Sequence, residues 1–590
     1  MKRRTVDAQV ISKLFFRLLP VQILLCAVGA VNGIVSSLFA SNSVGAVAMS
    51  AIGLYAPVNQ LLGAVSTMLV GGSQILCGKY MGRNQVERTQ GIFSLDILIS
   101  LAVSLLAVVS LVIAAGLGFV GASARDPEVS AVFSRYLLGQ SIGVLPMILG
   151  QQLSAFLSLE HRSGRTFAAS IAFIITNILM NFLFVQVLRM EAFGLALASS
   201  VGLWVFFAVQ AQYYVSGKSL LRLRVRGLRW REAGDIVKIG IPGAISSGYQ
   251  TIRRVLVNNL IVLFVGSIGL SAFAASDALL GIIWAIPGGI VAVSRMLMSV
   301  SVGEEDRQSL KDVMRTALYR CVPLMCGISA LLILFAVPLT RLYYRDAADP
   351  VYHMTVMGFR ILPLCMPLSV ICMHFVCYGQ TSGKQVLVHL LSVLDGVVCV
   401  AGFSALLVPR MGINGVYVAN VLNGLVTTLV IVLYAWICGK RFPRDMDSLM
   451  VIPENFGAPE DARMDLTLRS VEEVVDVSRQ VQDFCLRRGI DGRRSYLAGL
   501  FMEEMAGNVI EHGFTKDQKK HAVDIRVVHK DGAVILRIKD DCVPFNPQER
   551  QKIVDPADPA KNIGIRMVYR IADDIKYQNI LGLNVLTIRI

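Results

Sequence analysis

Arg189-Met-Glu-Ala-Phe-Gly-Leu-Ala-Leu-Ala198 and Arg410-Met-Gly-Ile-Asn-Gly-Val-Tyr-Val-Ala419 carry the same Arg-Met, Gly and Ala in the same register. Working outward, Ser163-Gly164-Arg165 corresponds to Ser382-Gly383-Lys384, and Pro20 through Gly45-Ala-Val-Ala corresponds to Pro242 through Gly269-Leu-Ser-Ala. The correspondences share an offset of about 220 residues, which marks an internal duplication. Between them lie apolar runs of roughly 20 residues, each long enough to cross a hydrocarbon core of about 30 Å as a helix. Twelve runs are predicted, near 15–40, 46–76, 92–119, 131–157, 166–188, 192–215, 240–265, 270–300, 316–340, 352–378, 386–408 and 412–437. Six spans per copy is an even number, so both copies enter the membrane in the same sense and their pseudo-twofold axis follows the membrane normal. Parallel repeats of this kind rock against each other around a central cavity, which is a transporter architecture.

Composition agrees with a membrane class. Charged residues are 16% of the chain against about a quarter in soluble domains, hydrophobic residues are 54%, and the mean hydropathy is +0.61. With the N-terminus in the cytoplasm, Lys79, Arg83, Arg88, Arg162, Arg165, the basic cluster 218–238, Arg307, Lys311 and Lys384 fall on the inner side, leaving Arg125, Arg189, Arg341, Arg345 and Arg410 outside. This is the positive-inside bias, and an even span count returns the C-terminus to the cytoplasm. The net charge of +15 therefore reads as topology and contact with anionic lipid in the cell (inner) membrane, and nucleic acid is excluded as a partner. The first span serves as a signal-anchor, and the eleven scattered cysteines lack metal-ligand spacing and read as packing in a reducing compartment.

Gly45-Ala-Val-Ala-Met-Ser-Ala-Ile-Gly-Leu-Tyr-Ala-Pro57, Gly71-Gly72, Gly78-Lys-Tyr-Met-Gly82 and, at the start of the second copy, Ile239-Gly-Ile-Pro-Gly243 resemble the multidrug and toxic compound extrusion (MATE) family. The resemblance covers about three quarters of the chain. It implies twelve helices in two bundles that export small amphipathic molecules, often cations, against proton or sodium entry. Many members carry an aspartate in the first span; here the aligned residue is Ser36, with Asn32 one turn earlier. Ionisable groups elsewhere in the spans are functional candidates because each costs about 2.5 to 3.5 kcal/mol at the bilayer centre. They are Asp277, Asp395, Arg253 and Arg254, with Asn177, Asn181 and Asn258 as polar companions that line a cavity or bond between helices. The paired arginines open an alternative in which the protein is a flippase for a lipid-linked or otherwise anionic substrate.

Beyond Arg444 the texture changes. Residues 1–220 and 221–444 form the two membrane repeats, 445–462 reads as a Pro- and Gly-bearing linker, and 463–590 alternates like a soluble α+β domain. Predicted there are a strand at 466–468, helices over 471–488 and 493–512, a strand pair within 523–539, a helix near 564–571 and closing strands. Glu504-Met-Ala-Gly-Asn508-Val-Ile-Glu-His512 sets three polar side chains at four-residue spacing on one helical face. An Asn amide oxygen there can bind Mg²⁺ without adding charge, and Glu504 can polarise a water or hydroxyl. Asp540, ending an apolar strand, can accept from an adenine amino group, and Asn562-Ile-Gly564 opens a helix whose free amides suit phosphates.

Together and in this order, Glu504 through His512, Asp540-Asp-Cys-Val-Pro-Phe-Asn-Pro547 and Asn562-Ile-Gly564-Ile-Arg-Met-Val568 resemble the Bergerat-type ATPase fold, most closely its anti-sigma-factor serine kinase branch. The resemblance implies ATP and Mg²⁺ as cofactors. Asn508 would hold the metal and Glu504 would act as base, while His512, Asp540, Cys542, Asn562 and Gly564 would border the nucleotide. Cys542 and Asn562 stand where that family has glycine, so side chains occupy space that the backbone would use for close approach. No Gly-x-x-x-x-Gly-Lys-Ser/Thr is present, which argues against ATP powering transport directly. Two classes follow: an ion-driven exporter gated by its nucleotide domain, or a membrane receptor whose tail is a serine/threonine kinase or binding module for a cytoplasmic regulatory protein.

Overall fold

The computed structural model describes residues 7–39, 46–116, 127–217, 219, 221–224, 228–344, 346–514, 521–530, 532–543, 546–550 and 563–590. Up to Gly439 it is a bundle of long helices, and eleven of those described are long and apolar enough to cross a membrane. The helix expected as the seventh of twelve, Arg231–Phe264, runs 34 residues but falls short of that apolarity. Arg253, Arg254, Asn258 and Asn259 interrupt its run. Several spans are not simple rods: π-helical turns occupy Phe182–Val187, Ala317–Cys321 and Leu394–Val398, and a 3-10 turn occupies Leu362–Leu364. Such turns take carbonyls off the regular ladder and recur at functional positions.

The two repeats are held together by small residues, as expected where no hydrophobic effect drives helices together in lipid. The second span, Ala46–Gly82, packs on the seventh and eighth. A Cβ at Gly72 would overlap the Ile236 carbonyl, one at Gly240 the Met68 carbonyl, one at Gly78 the Ser299 side chain, and one at Gly303 the Lys79 carbonyl. Gly72, Gly78 and Gly240, which belong to the family resemblance, and Gly303 thus bring the repeats into close contact at the end that bears the soluble domain.

That domain is a five-stranded antiparallel sheet of order β1-β2-β3-β5-β4, from β1 (Arg463–Leu468), β2 (Val523–Lys530), β3 (Ala533–Asp540), β4 (Asp574–Ile580) and β5 (Leu583–Arg589). Helices Glu472–Arg487 and Gly492–Gly513 cover one face. Period-two alternation sends Val523, Ile525, Val527, Leu536 and Ile538 into a core with Val481, Phe501, Met502 and Met505. The other face holds Asp524, Arg526, Arg537 and Lys539, paired across the strands as Asp524 with Lys539 and Arg526 with Arg537. This face lies against the membrane half, and Ile580, Leu581 and Val585 join the membrane half's own hydrophobic core.

The segment expected as a linker is strapped down. Arg307 pairs with Asp447 at 2.9 Å and donates to the Pro453 and Phe456 carbonyls, Lys311 reaches Asp447 at 2.8 Å, and Lys384 donates to the Val451 carbonyl at 2.8 Å. Met446, Met450 and Ile452 are buried with the membrane core.

Candidate functional site

The nucleotide-type site forms where the Glu504 helix meets β3 and β5. Asn508 and His512, one helical turn apart, line a cavity with Asp540, Cys542, Tyr577 and Asn584. Asn508 Nδ2 donates to the Glu504 carbonyl at 2.5 Å, which commits its nitrogen to the helix and leaves its amide oxygen as the group that suits a divalent cation. Glu504 faces the helix Ile563–Ile571, and a Cβ at Gly564 would overlap its carboxylate. Any larger residue there would force the Glu504 carboxylate to move. Asn562 lies outside the described residues.

Asp540 is held by a group that the motif reading missed. Asn584 Nδ2 donates to Asp540 Oδ1 at 2.7 Å and to the Cys542 carbonyl at 3.2 Å, while its Oδ1 accepts from Tyr577 Oη at 2.8 Å and from Asn579 Nδ2 at 2.9 Å. The Cys542 N–H also donates to Asp540 Oδ1, at 3.0 Å. The Asp540 carboxylate is thus engaged by a buried network of Asn584 and the N–H and thiol of Cys542, and its remaining lone pairs can accept from an adenine amino group. A lone Asn in a closing strand gives no motif, so Asn584 shows itself only through the pairing of β3 with β5, which sets it beside Asp540. Cys542 finds room opposite Gly513, where an added Cβ would come 3.1 Å from its sulfur. These groups fit a Mg²⁺-nucleotide: an amide oxygen for the metal, an acceptor for the base, and a glycine-led helix for phosphate.

Burial raises the Asp540 carboxyl from its ordinary value, and the Asn584 amide and Cys542 N–H offset this only in part. Protonation removes the acceptor, so the base contact should weaken as pH falls, beginning above the range of an ordinary Asp near pH 4. ATP titrations of the full-length protein between about pH 7 and pH 5 should show falling affinity, with the slope lost in Asp540→Asn. A slope unchanged by that substitution would assign the titration to another group.

The sheet's second face makes the contact with the membrane half. The loop Glu304-Glu305-Asp306 follows the eighth span. Lys539 reaches Glu304 at 2.6 Å and Asp306 at 3.4 Å, Arg537 reaches Glu304 at 3.5 Å, Lys530 reaches Glu305 at 2.5 Å, and Arg526 pairs with Asp306 and, at 2.5 Å, with Asp465. The side chains of Glu304 and Asp306 are only 3% and 1% exposed. Burial alone would raise the Asp306 carboxyl, but Arg526, Lys539 and the Ser309 N–H hold it well below its ordinary value. The same carboxylate caps the helix Arg307–Thr316. At the other side of the contact, the β4–β5 turn sets Gly582, at φ +85°, against the His161 ring between the fourth and fifth spans. The domain therefore touches a loop of each repeat.

Within the bundle, Arg253, Arg254 and Asp277 converge on one cavity with Gln60, Gln250 and Asn420. Asp395 adjoins it: its carbonyl accepts from Arg253 Nη1 at 3.1 Å, while its carboxylate accepts from Asn423 at 2.8 Å. Asn258 is half-buried on the Arg253 helix and does not line this cavity. Asn177 and Asn181 are buried and bonded to Ser199 and to each other, away from it. Asn32 and Ser36 lie outside the described residues as far as their side chains are concerned. Asp96 is fully buried in the third span.

A duplicated helical bundle with a polar cavity in its second repeat, edged by Gln60 of the first, joined to a nucleotide-type α+β domain, defines a membrane transporter with an attached ATPase-like module. Residues 25–183 and 242–401 match the MatE family model, and residues 468–590 match the histidine kinase-like ATPase domain. The chain belongs to the MatE family and carries a histidine kinase-like ATPase domain at its C-terminal end. The two matched segments repeat the offset seen in the sequence. Among curated proteins, the chain is 22% identical over 341 residues to the "Probable multidrug resistance protein NorM" of Chromobacterium violaceum, covering 55% of this chain and 72% of that one. A crystal structure of MATE in complex with MaD3S superposes with a TM-score of 0.66 at 18% identity over 73% of this chain and 97% of the other. A MOP superfamily transporter from Pyrococcus furiosus superposes with a TM-score of 0.65 at 18% identity over 72% and 96%. At such identities the superpositions establish the fold.

Proposed function

We propose that this protein is a secondary antiporter of the cell membrane, with both termini cytoplasmic, that exports small amphipathic molecules against proton or sodium entry under control of its own ATP-Mg²⁺-binding domain. The observation that carries the reading is the charge contact that buries Glu304 and Asp306 against Arg526, Arg537 and Lys539, with the exposed pair Glu305–Lys530 at its edge. A domain that only used the bundle as an anchor has no need of such a contact, whereas a contact that also reaches His161 in the other repeat spans the two bodies that must rock apart. Nucleotide then acts by changing how firmly the domain holds both loops, since a ligand shifts an equilibrium only through differential binding to its states.

The test is substrate flux in proteoliposomes with no nucleotide, ATP-Mg²⁺ or a non-hydrolysable analogue. Flux should change with ATP and with the analogue, and Asn508→Ala should respond to neither. Equal flux in all three conditions would sink the gating model. A kinase reading, in which the tail phosphorylates a serine or threonine of a cytoplasmic regulatory protein as in the anti-sigma-factor kinase branch, draws support from Glu504 lying at the start of the Gly564 helix. It requires transfer of the γ-phosphate to a protein hydroxyl, lost in Glu504→Gln.

A further inference from the structure

The seventh span places Gln250, Arg253, Arg254 and Val257 on one face at i, i+3, i+4 and i+7, and the eighth answers with Phe273, Asp277, Leu280 and Trp284. Gln60 of the other repeat completes the enclosure. The cavity is lined by two arginines and one aspartate. Arg254 meets Asp277 loosely, at 3.5 Å with side chains 65% and 49% exposed, a pair that screening leaves weak. Among the described residues no carboxylate lies within ion-pair distance of Arg253, which donates to the neutral carbonyl of Asp395. The Asp395 carboxylate accepts from Asn423 and lies beyond ion-pair distance of Arg253.

A guanidinium inside a membrane bundle is costly and is normally paired. Held by one carbonyl, Arg253 keeps its charge and further N–H donors in a planar fork that matches carboxylate, sulfonate or phosphate oxygens. Phe273, Trp284 and Met366 give an apolar and aromatic wall for the rest of the ligand. We infer that this cavity of the second repeat takes an amphipathic anion, its acidic group seated on Arg253 and then on Arg254 as Asp277 yields it. This rests on the transporter reading and names its substrate class; the headgroup chemistry is shared by a soluble organic anion and an anionic lipid.

The experiment is equilibrium binding to full-length protein in phosphatidylcholine nanodiscs without nucleotide, so that its outcome is separate from that of the ATP-gating test. Radiolabelled taurocholate, an amphipathic sulfonate, should bind more tightly than tetraphenylphosphonium, an amphipathic cation. Arg253→Gln should weaken taurocholate about tenfold or more, Arg253→Lys, which keeps the charge and loses the fork, should weaken it less than Arg253→Gln, and Asp277→Asn should tighten it. Wild-type size-exclusion profiles and thermal unfolding of each full-length variant verify folding. Competition by added phosphatidylglycerol identifies a lipid headgroup as the source, and absence of that competition a soluble anion; both keep the inference. It is overturned if Arg253→Gln binds taurocholate like the wild type, or if the cation binds more tightly and is lost in Asp277→Asn.

Discussion

Asp306→Lys is expected to release the ATPase domain from the membrane half. The Asp306 carboxylate is 1% exposed and faces Arg526 and Lys539, so a lysine there confronts two buried cations with a third. Breaking a buried pair by removing one partner costs about 3 to 5 kcal/mol, because the remaining charge stays desolvated. Asp306 also caps a helix, and loss of a cap costs about 0.5 to 2 kcal/mol by itself. Asp306→Asn separates the effects, since its amide oxygen can still accept from the Ser309 N–H while the charge is gone. Hydrogen exchange of the full-length protein should speed up in β2, β3 and the 304–306 loop in both variants, more in the lysine one, with ATP affinity retained. Nucleotide should then no longer alter flux. Wild-type protection at those amides in Asp306→Lys would mean that the charge contact does not hold the domain.

The duplication and the soluble domain's element order were legible because each rests on local pattern. The helices predicted over 471–488 and 493–512 are observed as Glu472–Arg487 and Gly492–Gly513, and the strand pair within 523–539 as β2 and β3. What sequence could not supply was the meaning of the sheet's polar face. Arg526, Arg537 and Lys539 alternate with apolar neighbours just as residues on a solvated face would, and Glu304-Glu305-Asp306 reads as an ordinary loop between spans. Only the tertiary contact shows that each set neutralises the other. Asn584 was hidden for the same reason, because a polar residue in a closing strand usually points to water, while here it points inward at 4% exposure. Arg253 was legible as costly, but its lack of a carboxylate partner depends on which atoms of Asp395 face it and Asn423 across three helices, for which the residues give no periodic signal.

Asp540→Asn should abolish tight ATP binding while leaving the fold intact, and the Asn584 network is what makes the outcome this severe. The Asn584 amide cannot flip, because its oxygen already accepts from Tyr577 and Asn579. Its nitrogen therefore still needs an acceptor at position 540, as does the Cys542 N–H. The new side chain satisfies both only by turning its oxygen to the place of Asp540 Oδ1, which leaves its NH₂ in the place of Oδ2. An adenine amino group would then meet a donor in place of an acceptor. Leaving a buried donor unpaired costs about 1 to 3 kcal/mol, and losing a charge-assisted bond adds to it, so ATP affinity should fall about a hundredfold. The same exchange favours a base that offers an oxygen at that edge, so the ratio of ATP to GTP affinity should move toward GTP by a larger factor than either affinity changes alone. Titrating both nucleotides with Mg²⁺ into full-length wild type and Asp540→Asn, with thermal unfolding as the control for folding, measures this. Wild-type ATP affinity in the variant would remove Asp540 from base recognition and place the base elsewhere in the domain.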